Sequence, residues 1–104
     1  MPENMPRIRT QLEMKREEDG GRHAPFWANY RPHLVPVGTE DYLGVTVVNL
    51  PEEQAVAAGS SAAVEFELVY HPNVDYSGLS VGTAFEIREG ARVVGTGTVL
   101  ELIA

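Results

Sequence analysis

The 104-residue sequence predicts an all-β fold, a barrel or a sandwich, on three observations. Apolar residues recur with a period of two rather than 3.6, as on half-buried strands. Short runs of this kind are separated by turn clusters at close spacing. The one alanine-rich stretch, residues 52–63, is interrupted by Gly59-Ser60-Ser61 and has room for one helical turn at most.

The strands are taken in order. In RIRTQLEMK (residues 7–15), Ile8, Thr10, Leu12 and Met14 alternate with charged or polar residues. A second strand is expected over 31–36. A third, over 43–50, is rich in β-branched residues and stops at Pro51, which has no N–H for a ladder. VEFELVY, within 64–71, alternates Val64, Phe66, Leu68 and Tyr70 against Glu65 and Glu67, the clearest strand of the chain. Residues 83–89 and 92–103 flank Gly90-Ala91, a hairpin signal. Turns fall at Glu18-Asp19-Gly20-Gly21, residues 38–41, residues 59–61 and the longer loop 72–82. The expected core is Val64, Phe66, Leu68, Phe85, Ile87, Val94, Val99 and Leu102.

A chain of this length, 43% apolar, makes one domain with one modest core. No apolar run approaches the roughly 20 residues of a membrane span, and MPENMPRIRT has no signal-peptide apolar region. With no Cys there is neither a disulfide framework nor a thiolate metal site, so a cytoplasmic location is expected. The net charge of −7 argues against broad nucleic-acid binding. Its distribution is uneven. Arg7, Arg9, Lys15, Arg16, Arg22 and Arg31 precede a stretch without Lys or Arg that ends only at Arg88 and Arg92. If the two basic ends meet, an acidic domain carries one basic patch.

FEIREGARVVGTG (residues 85–97) raises the possibility of a phosphate loop. Such a loop needs a strand, glycines and then a helix whose N-terminus faces the anion. Here Thr96, Thr98, Val99 and Leu100 continue a strand, so Gly90 reads as a hairpin turn, and Gly95 and Gly97 as bulge or close-packing positions. No nucleotide and no other cofactor are expected.

The same stretch resembles the C-terminal hairpin of elongation factor Tu, whose third domain ends in a run close to F-A-I-R-E-G-G-R-T-V-G-A-G. GGRHAPFWANYRPH (residues 20–33) is similar to that domain's G-G-R-H-T-P-F-F-x-x-Y-R-P-Q, and LPEE (50–53) and His71-Pro72 are shorter echoes. The resemblance runs from about Pro6 to the end of the sequence. It implies a closed six-stranded antiparallel β-barrel over 6–104, after a flexible N-terminus of residues 1–5, as a stand-alone copy of the domain. It also implies a non-catalytic binding module, since the GTPase domain has no counterpart in these residues. By resemblance the domain holds the T-stem backbone of transfer RNA and meets the G-domain and the exchange factor.

Carried over by motif, the RNA- or partner-binding residues are Arg22, His23, His33, His71, Arg88, Glu89, Gly90 and Arg92. Arginine suits phosphate, and a glycine lets backbone N–H approach it. The sequence also departs from the family pattern, once within this set, at His33. His33 replaces a Gln, Leu43-Gly44 replaces Thr-Gly and removes a hydroxyl, Ala91 replaces the second hairpin glycine, and loop 73–83 is longer. Pro36 stands where the family has an aromatic, and Tyr30-Arg31-Pro32 reads as a corner with Arg31 paired to a carboxylate. Two functions follow: a protein-interaction module that mimics or competes with the elongation factor's domain, or an RNA-binding module on a tRNA-like stem. The protein partner belongs to the translation machinery or regulates it. Three histidines at irregular spacing make a poor metal site, and Ser77 or Ser80 with His71 and Asp75 lacks a nucleophile elbow.

Overall fold

A computed structural model describes residues 6–103, so the expected flexible segment 1–5 lies outside the described residues. The chain forms β1 (Arg7–Met14), β2 (His33–Pro36), β3 (Leu43–Gly44), β4 (Thr46–Val48), β5 (Ser61–Glu67), β6 (Ala84–Glu89) and β7 (Arg92–Ile103). They make one antiparallel sheet in the order β3-β2-β6-β7-β1-β5-β4. The all-β expectation holds, with a curled sheet of seven strands where six were expected.

The additional strand has a local cause. The stretch read as one strand over 43–50 divides at Val45, which separates β3 from β4. These two strands stand at opposite ends of the sheet order, one residue apart in the chain. Val45 and Val47 donate their N–H groups to Pro32 O (3.2 Å) and Tyr30 O (2.9 Å). The segment before β2 thus runs beside 45–47 without continuing the strand. Pro36 ends β2 opposite Phe85, where its missing N–H costs no ladder bond. Residues 52–63 contain no helix; the one helical turn among the described residues is a 3-10 segment, Glu17–Asp19.

Buried residues alternate along β1 (Ile8, Thr10, Leu12 and Met14) and along β5 (Val64 and Phe66), whereas Leu34, Val35 and Pro36 of β2 are all buried. Every expected core residue is buried except Leu102, which is 55% exposed. Leu102 lies past an irregularity: Thr10 pairs with Val99 and Arg9 with Glu101, so Leu100 is an extra residue on β7. Gly97 is a close-packing position, since a Cβ there would sit 2.6 Å from Phe85 Cζ and 2.8 Å from Leu12 Cδ2. The long loop of 72–82 is pinned inward by Tyr76 and Leu79. The Tyr76 hydroxyl donates to Gly44 O (2.7 Å) and accepts from Tyr70 N–H (3.0 Å), tying that loop to β3. Arg7 pairs with Ile103, bringing the two ends of the described chain together.

Candidate functional site

The β6–β7 hairpin sets one end of the sheet. Gly90 at its tip has φ +63, a left-handed conformation that L side chains adopt at a cost. Glu89 and Arg92 face each other across it. The turn at Gly20-Gly21 lies against this hairpin: Arg92 donates Nε to Gly20 O (3.0 Å) and Nη2 to Gly21 O. Gly21 is required there because a Cβ would overlap the backbone of Lys15.

Arg22, next in the chain, pairs through Nη1 with Glu89 Oε2. The Tyr30 hydroxyl donates to the same oxygen at 2.5 Å. The Arg22 guanidinium lies 4.5 Å from the centre of the Tyr30 ring, which stacks on Phe26 at 4.6 Å. This is one unit: a buried phenylalanine supports a tyrosine, which supports an arginine, and both polar groups converge on one carboxylate. Partial burial opposes ionisation of Glu89, but the hydrogen bonds from Tyr30 and Arg22 and the charge of Arg92 outweigh it and hold its carboxyl below the usual range. Burial and the adjacent Glu89 push the Tyr30 phenol up, so it remains a donor. Partial burial also works against the Arg22 charge, but Glu89 and Tyr30 raise its pKa on balance. His23 is exposed beside the unit, with Nδ1 2.6 Å from Glu17 Oε2.

A second cluster occupies the outer face. His33 and Arg88 are direct cross-strand neighbours on β2 and β6. Arg88 donates Nε and Nη2 to Glu86 Oε1 (3.0 and 2.5 Å) and Nη1 to the Tyr42 hydroxyl (2.8 Å). Tyr42 meets the His33 ring edge-on at 5.7 Å and is 41% exposed. The ring of Tyr70, also exposed, covers Gly44, the cross-strand partner of His33, where a Cβ would sit 2.6 Å from Tyr70 Cε2.

Five of the expected residues therefore gather at the hairpin end: Arg22, His23, Glu89, Gly90 and Arg92. Arg88 and His33 form the outer cluster. His71 joins neither; it sits in a turn, its N–H donating to Leu68 O at 3.1 Å, with no side-chain hydrogen bond among the described residues. Arg31 is exposed and forms no ion pair among the described residues, contrary to the carboxylate partner expected for it, whereas Arg22 pairs with Glu89. Sequence reasoning missed the part of Tyr30 as donor to Glu89 and of Tyr42 as partner to Arg88. The motif around Tyr30 marked the first, while nothing local marked the second, which lies 46 residues from Arg88. The polar groups of the long loop satisfy local needs: Asp75 Oδ1 accepts Ser77 N–H at 2.9 Å, and Ser80 Oγ lies 3.0 Å from Thr83 Oγ1. Among the described residues no group of three His, Asp or Glu could hold a metal ion.

The described residues form a small curled all-β domain with a charge-paired rim, and no helix among them is long and apolar enough to cross a membrane. A family model described as the elongation factor Tu C-terminal domain matches residues 2–103. The chain belongs to that family, which ties it to the translation machinery.

Proposed function

We propose that this chain is a non-catalytic protein-interaction module that mimics or competes with the C-terminal domain of elongation factor Tu, acting in the cytoplasm without nucleotide or cofactor. The observation that carries this reading is the internal engagement of the arginines meant for phosphate. Arg22 is committed to Glu89, Arg88 to Glu86 and Tyr42, and Arg92 to two backbone carbonyls. A phosphate would have to displace these partners, on a molecule already carrying −7. Tyr42 and Tyr70 together offer exposed aromatic surface of the kind that anchors protein interfaces. Affinity capture from native lysate, with and without nuclease, tests the reading. Protein partners that survive nuclease are expected, and recovery that vanishes with nuclease overturns it.

The gathering of Arg22, His23, Gly90 and Arg92 at one end favours a second reading, an RNA-binding module on the backbone of a tRNA-like stem. It requires affinity for transfer RNA at low salt with a log–log salt slope of about −2 to −4, the signature of a few phosphate contacts. A flat titration removes it.

A further inference from the structure

Strand β5 is longer than its partner on one side. β1 pairs with it from Ser61 to Glu67, whereas β4 reaches only Glu65 to Glu67. Beyond Val48 the chain turns away at Asn49, which has φ +57. In an antiparallel ladder, alternate residues direct their backbone groups to the same side. The bonds from Met14 N–H to Ser60 O and from Leu68 N–H to Pro6 O assign the even-numbered residues of β5 to the β1 side. The odd-numbered ones face β4, where Glu65 and Glu67 meet Val48 and Thr46. Ser61 and Ala63 face the same way, are exposed, and have no hydrogen-bond partner on that side among the described residues.

Two depressions flank this free edge. One of about 230 Å³ lies on the outer face beside Arg9, Ala63 and Glu65. The other, about 530 Å³, lies between Ala62 and the loop that carries Gln54 and Val56.

We infer that this edge is a docking site for an extended peptide segment of a partner protein, added as a short strand beside residues 61–64. It deepens the protein-partner reading and rests on it. A strand presents N–H and C=O groups at the two-residue repeat that Ser61 and Ala63 set. Its side chains alternate between faces, so successive ones enter the two depressions. The small side chains of Ser61, Ala62 and Ala63 leave the backbone approachable. Glu52 and Glu53 are exposed between Pro51 and Gln54, which line the second depression, so a segment complementary to them carries Lys or Arg. The net charge of −7 opposes the same edge of a second copy.

The test selects displayed random heptapeptides on the wild-type chain, counter-selected on Ala63→Pro. Proline there removes the N–H that faces solvent and takes nothing from the β1 ladder. Basic, β-prone peptides are expected, slowing amide exchange at Ser61 and Ala63 in the wild type and losing about tenfold or more in affinity on the variant. Failure to select any peptide, or selected peptides that leave exchange at both amides unchanged, overturns the proposal. So does a concentration-dependent dimer that protects the same amides. If Ala63→Pro does not fold, exchange in the wild type decides alone. Capture experiments separate the two levels: equal protein capture by folded Ala63→Pro and wild type sinks the edge and leaves the interaction reading standing. No protein captured by the wild type sinks the interaction reading itself.

Discussion

Glu89 is the residue on which the rim depends, because Arg22 and Tyr30 both spend their polar atoms on one of its oxygens. Its folded pKa is depressed, so its stabilising contribution is complete above the ordinary carboxyl range and is lost as pH falls through the lower folded value. Chemical denaturation across pH should therefore show Glu89→Gln less stable than wild type at pH 7, with the gap closing below about pH 4. Tyr30 works in the opposite sense: its raised value keeps stability whole below the ordinary phenol pKa of about 10, with loss above it. Tyr76→Phe leaves Gly44 O and Tyr70 N–H without their partner, and the unfolding free energy should drop by about 1–3 kcal/mol. Residue-level legibility followed the motifs. The Gly-Gly-Arg-His and Glu-Gly matches led to Arg22 and Glu89, but the sequence could not show that these two would neutralise each other across 67 positions. Arg31 was expected to pair with a buried or rim carboxylate; it forms no ion pair among the described residues, and the ion pair at this rim is Arg22 with Glu89.

Among elements, the final hairpin was the most readable and β3–β4 the least. Alternation is a strong signal where one face is buried, and the bounds of β6 and β7 came within a residue of expectation. Residues 43–48 are rich in β-branched residues, and apart from Gly44 nothing in that composition indicates a change of neighbour at Val45. The start of β5 at Ser61 was hidden for a related reason, since Ser61, Ala62 and Ala63 carry no alternation to detect. Glycines in one hairpin should respond differently to the same substitution. Gly90→Ala meets open space but a left-handed φ, and should cost about 1 kcal/mol by thermal melting. Gly97→Ala forces a methyl into Phe85 and Leu12 and should cost about 1–3 kcal/mol or more. If the two melt alike, the packing assigned to β7 is wrong.

On the scale of the molecule, the two basic segments do meet, as the charge pattern suggested, but through acid and carbonyl partners rather than as an open patch. The same pairing makes the rim's contribution to stability insensitive to moderate salt where the groups are partly buried. The paired first and last strands of the described residues carry a separate consequence. Arg7 and Ile103 stand opposite each other in neighbouring strands, at the ~4.5–5.5 Å Cα spacing of such pairs. A few glycines and serines would bridge them, and a circular permutant opened at the exposed Glu40-Asp41 turn should keep every strand pairing intact. For evolution as for engineering, such a domain is portable: it can be set into a surface loop of a host protein with both junctions leaving from one spot.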